Sequence, residues 1–171
     1  MSAAELPQSV RKYEGDRRED WRTPRDFFER LHAEFGFTLD AAASDENHLL
    51  PKYFTRETDG LGHSWNGETV WVNPPYGPNV KQWTAKACEE AAGGATVVML
   101  VFSYTDSEWF RRDVMRASEV RFIRGRLIFG HGEGKPSSNA PHGSMVVVWR
   151  PGESGFPSIV SCDKSAQRTL P

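Results

Sequence analysis

This sequence of 171 residues lacks several features that would place it in a specialised class of protein. It has only two cysteines, Cys88 and Cys162, and no C-x-x-C pair, which excludes a disulfide framework and fits a reducing cytoplasm. No apolar run approaches the roughly 18 residues that a membrane span requires, so we expect no membrane partner. The five histidines lack metal-ligand spacing, and we therefore expect no metal site.

The sequence also lacks a strong charge of either sign. The formal net charge is -2, which by itself does not indicate a nucleic-acid-binding protein. The distribution is uneven, because residues 111–126 contain six arginines: Arg111, Arg112, Arg116, Arg121, Arg124 and Arg126. This segment is either a solvated helix face followed by a strand or a local basic surface that contacts phosphates.

The overall composition is that of an ordinary globular protein. Hydrophobic residues make up 38% of the chain and charged residues 26%, and the length corresponds to one domain. Residues 1–20 are polar and charged without apolar periodicity, and we expect a flexible segment rather than a signal peptide. We expect a folded domain over residues 21–150 and a tail without secondary structure over residues 151–171.

The hydrophobic pattern predicts strands and helices in alternation. Thr23 is expected to cap a helix that has Pro24 at its first position and ends at Gly36. Two further helices are expected, one from Asn79 to about Ala92 and one capped by Asp106 or Ser107. Residues 37–43 are predicted to form a strand that has Asp40 at its end and runs into a tight turn of small residues. The other predicted strands cover residues 70–72, 96–102, an interrupted run over 120–129, and 145–149, with a possible short strand at 52–54 and a loop over 130–143.

This alternation predicts a doubly wound, mostly parallel α/β sheet. The last two strands are joined without a helix, so we expect an antiparallel strand at one edge. Such sheets bind ligands at the carboxyl ends of their strands. Asp40, Asn73 and Tyr104 each follow or end a predicted strand, and we expect them to converge there.

The run Asn73-Pro74-Pro75-Tyr76 is the most informative motif. An amide carbonyl at position 73 and a backbone carbonyl near Pro74 can accept both N–H groups of a planar exocyclic amine. Two such acceptors favour a tetrahedral nitrogen and stabilise the positive charge that develops when it attacks an electrophile. Proline stiffens the turn without adding a donor, and Tyr76 offers a face on which a base can stack. The alternative is a plain strand-to-loop turn, since Asn-Pro is a common turn signal.

At this motif the chain resembles the amino-methyltransferases that use S-adenosylmethionine (SAM), whose motif is [DNS]-P-P-[YFW]. Over roughly residues 21–149 it resembles, more narrowly, the phage-type DNA N6-adenine methyltransferases of the Dam-like family. The markers are Trp21-x-Thr23-Pro24, Leu39-Asp40-Ala41-Ala42-Ala43 with Asn47, Asp59-Gly60-Leu61 with Trp65, Trp71-Val72-Asn73-Pro74-Pro75-Tyr76, Trp83 with Lys86-Ala87, and Phe122-x-x-Gly125-Arg126-x-x-Phe129.

The resemblance implies a Rossmann-like methyltransferase fold, SAM as methyl donor and adenine N6 in double-stranded DNA as acceptor, in a bacterial host cytoplasm. It implies that Asn73, Pro74, Pro75 and Tyr76 form the catalytic base pocket. It assigns cofactor binding to Trp21, Thr23, Pro24, Asp40, Ala41, Ala42 and Asp59. The Asp40 carboxylate would suit the methionine ammonium. The candidates for DNA contact are Arg121, Arg124, Arg126 and the loop over residues 130–143. The turn Ala-Ala-Ala-Ser departs from the Gly-rich turn of most SAM sites.

We expect direct transfer without a covalent enzyme intermediate, since no cysteine lies near the motif. A duplex adenine would have to be extruded from the stack. Two other kinds of function share part of this pattern. The tetrad also serves cytosine N4, RNA bases and protein glutamine, and a catalytically silent nucleic-acid-binding module could keep the same fold.

Overall fold

The computed structural model describes residues 21–131, 136–153 and 155–164. The flexible segment predicted over residues 1–20 lies outside these ranges. The helices are α1 (Arg25–Phe35), α2 (Val80–Ala92) and α3 (Glu108–Arg112), with a 3-10 turn at Val114–Arg116. The strands are β1 (Leu39–Asp40), β2 (Thr69–Val72), β3 (Thr96–Phe102), β4 (Glu119–Arg124), β5 (Ile128–Phe129), β6 (Ser138–Asn139), β7 (Ser144–Trp149) and β8 (Ser158–Asp163). Among the described residues, no helix is long and apolar enough to cross a membrane.

Six strands form one mixed, mostly parallel sheet in the order β1-β2-β3-β7-β4-β8, and β5 and β6 form a separate antiparallel pair. Strand β7 runs antiparallel to both β3 and β4, while the other neighbouring pairs are parallel. The predicted antiparallel arrangement of the last two strands is therefore confirmed for β4 and β7. The prediction that the antiparallel strand lies at an edge of the sheet is wrong. All six side chains of β7 are buried, which suits a strand paired on both sides rather than an edge strand.

Helices cover both faces of this sheet. On one face, Phe27, Phe28 and Leu31 of α1 pack with alternate strand residues such as Trp71 and Leu100. On the other face, Trp83 and Ala87 of α2 pack with the intervening strand residues, for example Val72, Met99 and Val147. The mixed α/β class is confirmed. Because the helices bury both faces, the sheet edge where the parallel strands end is left for a ligand.

Helix α1 begins differently from the prediction. Pro24, not Thr23, is the N-cap residue, with φ -55° and ψ 129°, and no side chain caps the helix. The predictions that Thr23 caps α1 and that Pro24 is its first residue are wrong, because Pro24 keeps an extended ψ and the first helical residue is Arg25. The carbonyl of Pro24 accepts the N–H of Phe28 at 3.0 Å. At the other end Gly36 adopts the left-handed conformation (φ 67°), as a C-terminal glycine should.

Strand β1 ends at Asp40 and the chain then bends at residues 41–42, as predicted for the segment over residues 37–43. Its ladder with β2 extends by single hydrogen bonds from Thr38 N to Thr69 O and from Ala41 N to Trp71 O, after which the chain turns away. On its free side, Asp40 bridges in parallel to Tyr53, which confirms the short extended segment predicted at residues 52–54. The two hydrogen bonds of Asp40 with Lys52 and Phe54 fix the backbone from which its carboxylate projects.

Three further predictions in the second half of the chain require correction. The run over residues 120–129 is two strands in different sheets, because Gly125 (φ 77°) turns the chain between β4 and β5. The predicted loop over residues 130–143 contains strand β6. The segment after Pro151 was expected to lack structure, but Ser158–Asp163 pairs in parallel with β4. Four of the six residues of β8 are exposed, so it carries little of the hydrophobic pattern on which prediction depends.

Candidate active site

Two cavities lie where the parallel strands end. The larger has a volume of about 500 Å³ and the smaller about 290 Å³. Asn73, Pro74 and Pro75 line the larger cavity, and Tyr76 lines the smaller one. Trp21 belongs to both linings. The four-residue motif and Trp21 therefore divide one region of the surface into two adjoining compartments.

The Asn73 side chain is held in one orientation. Its Nδ2 donates a hydrogen bond of 2.6 Å to the carbonyl oxygen of Trp21. Because a carbonyl can only accept, this bond fixes which end of the amide is the nitrogen. The opposite end, Oδ1, is buried and has no hydrogen-bond partner among the described residues. A buried acceptor without a partner costs free energy, and a ligand that donates an N–H would recover it.

Tyr76 is packed by other aromatic rings. Its ring lies 4.1 Å from that of Phe102 at 32°, and Trp21 and Phe129 meet it edge-on at 6.4 and 6.1 Å. Burial raises the pKa of the Tyr76 hydroxyl, which therefore stays protonated. The ring is thus a rigid, neutral surface and not an acid or base.

Asp40 is the buried carboxylate of the larger cavity. It is only 3% exposed, and its Oδ2 accepts the N–H of Leu49 at 3.1 Å. Burial raises the pKa of Asp40 from 3.8 to about 6, partly offset by hydrogen bonds from the backbone of Leu49 and Ala42 and by the charge of His48. An anion in so buried a position favours a cationic ligand group.

The larger cavity brings together most, but not all, of the predicted cofactor residues. Trp21, Thr23, Asp40 and Ala42 line it with the motif residues. Thr23 Oγ1 is buried and, like Asn73 Oδ1, has no partner among the described residues. Pro24, Ala41 and Asp59 are absent from its lining. Pro24 caps α1, Ala41 is buried beneath the turn, and Asp59 is an exposed residue with φ 50°.

The motif around Asp59 instead supports the turn after β1. A side chain at Gly60 would place its Cβ 2.1 Å from the carbonyl oxygen of Ala41, so only glycine fits there. The carbonyl of Gly60 in turn accepts the indole N–H of Trp65 at 2.9 Å. The Asp59-Gly60-Leu61 and Trp65 markers therefore hold the backbone that carries the Asp40 carboxylate.

Sequence reasoning missed several residues that line the cavities. In the larger cavity they are Arg22, Arg25, Ala43, Ser44, Glu46, His48, Leu49 and Arg56. In the smaller one they are Gly77, Val80, Phe102 and Trp109, whereas Pro141 and His142 lie in the loop over residues 130–143 that is a predicted candidate for DNA contact. Most of those in the larger cavity lie on irregular connections whose course no hydrophobic period reveals, whereas Val80, Phe102 and Trp109 lie in α2, β3 and α3. One signal was present: Asn47 bonds the backbone N–H of Ser44 at 2.7 Å and so shapes this wall.

The predicted DNA-contact arginines differ in their surroundings. Arg121 is bound to Glu34 and Glu119, with N–O distances of 2.5 and 2.6 Å, and its side chain is 13% exposed. Arg124 and Arg126 are exposed at and just beyond the carboxyl end of β4. Arg121 therefore forms ion pairs within the protein, whereas Arg124 and Arg126 lie at the edge of the sheet that holds the cavities.

Neither cavity is lined by a cysteine. Cys88 lies within α2, where its thiol donates to the carbonyl of Asp113 at 3.5 Å, and burial raises its pKa to about 11. The site therefore has the parts to position an amine between an acceptor amide and aromatic rings, next to an anionic pocket. That arrangement, on a mixed α/β sheet, is suited to an enzyme that transfers a group to an amine without a thiol nucleophile.

Comparison with known proteins specifies which class of transferase this is. The family model described as DNA N-6-adenine-methyltransferase (Dam) matches residues 10–169, and the chain belongs to this family. The DNA N-6-adenine-methyltransferase of Escherichia phage T1 is 31% identical over 166 residues, covering 83% of this chain and 69% of the phage protein. That of Haemophilus phage HP1 (strain HP1c1) is 29% identical over 137 residues, covering 77% and 78%. The resemblance that the motifs indicated is confirmed.

Proposed function

We propose that this protein transfers a methyl group from SAM to the N6 amine of adenine in DNA, with SAM in the larger cavity and the adenine in the smaller. Membership of the family supports the reaction. The division of the Asn-Pro-Pro-Tyr run between the two cavities carries the assignment of the two sites. A methyl donor and an amine that react by direct attack must occupy adjoining compartments.

The residues of the larger cavity fit SAM. The buried carboxylate of Asp40 would bind the methionine ammonium, and the hydroxyl of Thr23, which has no partner among the described residues, would donate to its carboxylate. When bound there, SAM supplies an electrophilic methyl group on its sulfonium. The chain's part is then to present the amine to that methyl and to exclude water.

Asn73 is the residue that prepares the amine. Its Oδ1 would accept one N–H of the adenine amine, and the carbonyl of Pro74 would accept the other. Both acceptors stabilise the positive charge that develops on the nitrogen. Since the Trp21 carbonyl already holds the amide in place, Oδ1 needs no reorientation during the reaction.

We further propose that the DNA is double-stranded and that the sheet is the Rossmann-like core of a SAM-dependent methyltransferase. An adenine in a duplex must leave the stack to reach a recessed cavity, and a rigid aromatic surface such as Tyr76 offsets part of that cost. Arg124 and Arg126 would hold the phosphates.

Helices on both faces and ligand cavities at the carboxyl edge support the Rossmann-like assignment. A co-crystal structure with S-adenosylhomocysteine bound away from Asp40 would contradict the assignment of the cofactor to the larger cavity at this edge.

The decisive experiment incubates the protein with unmethylated duplex DNA and methyl-labelled SAM and identifies the labelled nucleoside by mass spectrometry. N6-methyladenine is expected, whereas label in N4-methylcytosine alone would change the acceptor base. Asn73→Ala should lower kcat by about 10²- to 10³-fold, as loss of a preorganised polar group does. Asn79→Ala is the matched control, because the Asn79 side chain makes no capping bond at α2. Equal activity in the two variants would refute the role of Asn73.

A further inference from the structure

The segment that supplies the carbonyl partner of Asn73 is held by the backbone of a distant strand. Residues 21–23, here called the entry segment, lead into α1. Arg22 forms an isolated antiparallel bridge with Gly130, which directly follows β5. The N–H of Arg22 donates to the carbonyl of Gly130 at 2.9 Å, and the N–H of Gly130 donates to the carbonyl of Arg22 at 3.0 Å. The entry segment is therefore paired with the β5–β6 sheet.

The side chains around this bridge reinforce it. Trp21 packs edge-on against Phe129 at 5.3 Å and against His131 at 4.9 Å, the two neighbours of Gly130. Phe129 is fully buried in the core, so the strand that leads into Gly130 is anchored there. The ring of His131 is in turn bonded through Nε2 to the hydroxyl of Ser138 in β6 at 2.7 Å. The position of the entry segment is thus set from the core through Gly130.

This support matters because the two ends of the Asn73 amide have opposite chemistry. Half a turn about the last side-chain bond would exchange Oδ1 for Nδ2, and a donor would then face the N–H groups of the acceptor amine. The hydrogen bond of 2.6 Å from Nδ2 to the Trp21 carbonyl opposes that rotation. A displacement of this carbonyl by about 1 Å would break the bond.

We infer that Gly130 is a positioning residue for methyl transfer: its two backbone hydrogen bonds hold the entry segment so that the Trp21 carbonyl orients the Asn73 amide. This inference rests on the proposed role of Asn73. It also explains why this chain needs an amide at position 73, where the motif [DNS]-P-P-[YFW] admits a carboxylate. An ionised aspartate would place an oxygen without a proton against the Trp21 carbonyl oxygen, and two acceptors repel each other.

The first test compares Gly130→Pro with Gly130→Ala in the single-turnover rate of methyl transfer at saturating SAM and duplex DNA. Proline removes the N–H that binds the Arg22 carbonyl, so the rate should fall about tenfold, in line with the loss of one hydrogen bond. Alanine keeps this N–H and should keep the wild-type rate. It fits because Gly130 does not have a positive φ and an added Cβ would lie 3.5 Å from that of Arg22. A wild-type rate in Gly130→Pro overturns the inference.

A double-mutant cycle separates positioning from a general loss of structure. In an Asn73→Ala background there is no amide to orient, so Gly130→Pro should lower the residual rate by less than about twofold. An equal loss in both backgrounds would mean that the bridge acts independently of Asn73, and it would overturn the inference.

The pH profile of Asn73→Asp tests the same geometry without altering the bridge, and it decides the question if Gly130→Pro does not fold. Only a protonated carboxyl can donate to the Trp21 carbonyl. The rate at saturating SAM should therefore be about 10²-fold below wild type at pH 8 and rise by up to about tenfold per unit as the pH falls toward 6. A profile of the same shape as that of wild type overturns the inference. Failure of the wild-type protein to methylate adenine in DNA would instead refute the proposed function, and this inference with it.

Discussion

At the scale of single residues, the two ends of the Asn73 amide differ in a way that matters for catalysis. One end is satisfied by the Trp21 carbonyl, and the other is a buried acceptor without a partner among the described residues. Folding therefore bears the cost of desolvating Oδ1 before any ligand arrives. That cost is recovered when an N–H binds, and most fully when the nitrogen becomes positive, which is the basis of electrostatic preorganisation.

Asp40 leads to a prediction about cofactor binding and pH. With a pKa of about 6, the carboxyl is mostly neutral at pH 5 and mostly ionised at pH 7. If it binds the methionine ammonium, SAM affinity should rise about tenfold over that interval, following the ionised fraction. Calorimetric Kd values at pH 5, 6, 7 and 8 would measure this. Asp40→Asn should bind weakly with no such dependence, and an unchanged slope in this variant would contradict the assignment.

The same carboxyl also affects stability, with the opposite dependence on pH. Its pKa in the folded protein lies above its ordinary value of 3.8, so the folded state binds its proton more tightly than the unfolded chain does. The resulting stabilisation is complete below about pH 4 and is lost as the pH rises through 6. Relative to wild type, Asp40→Asn should therefore gain on the order of 1–3 kcal/mol in free energy of unfolding between pH 4 and pH 7. Urea denaturation at both pH values would show it, and a constant difference would be evidence against it.

At the scale of elements, α3 depends on its cap. Ser107 is the N-cap, its Oγ accepts the N–H of Phe110 at 3.3 Å, and its hydroxyl reaches the carbonyl of Tyr104. Ser107→Ala should lower the free energy of unfolding by about 1 kcal/mol, a typical cost for a lost cap. Asn79→Ala, at the uncapped start of α2, should cost much less. Chemical denaturation would compare them, and equal losses would mean that the Ser107 bonds do not stabilise the helix.

The helices and strands that could be predicted from the sequence are those with a clear periodic pattern of apolar residues. Helix α2 and strand β3 were predicted with their observed bounds, because α2 buries residues at helical spacing and β3 is a nearly continuous buried run, each between clear stop signals. Strand β8 was missed because most of its side chains are exposed, and β6 because two residues carry no period. The central place of β7 could not be predicted, since strand order depends on tertiary pairing that a single sequence does not encode locally.

The residues of the candidate site also divide into those that the sequence indicated and those that it did not. Asp40 and Asn73 were singled out by their positions at strand ends and Thr23 by resemblance, and all three line the larger cavity. Tyr104 was placed at a strand end and His142 in a candidate contact loop, but that they line one cavity depends on single hydrogen bonds, such as that between Ser103 and Gly143, which the sequence does not reveal. Asp59 was assigned to the cofactor by resemblance, whereas the structure places it on the exposed turn beside Gly60.

At the scale of the whole molecule, a chain with a net charge of -2 must bind a polyanion through a local surface. The carboxyl edge of the sheet is that surface if the proposed site is correct. Arg124 and Arg126 are exposed there, and Lys164, which follows β8, donates to the carbonyl of Arg126 at 3.3 Å. Arg121 is close to these residues in the sequence, but its charge is already compensated within the protein. Hydrogen bonds to Glu34 and Glu119 raise its pKa.

This contrast predicts how salt should affect DNA binding. Each arginine that neutralises a phosphate adds about 0.9 to the slope of log K against log salt concentration, so the double variant R124A/R126A should lower that slope by about 2. Fluorescence anisotropy with a labelled duplex over a salt series would measure it. Arg121→Ala is the matched control: it should keep the wild-type slope and instead lower the free energy of unfolding, because it leaves Glu34 and Glu119 without their shared partner. If R121A reduced the slope and R124A/R126A did not, the DNA would have to bind along the body of β4 and α1, away from the two cavities, and the proposed path of the duplex would be wrong.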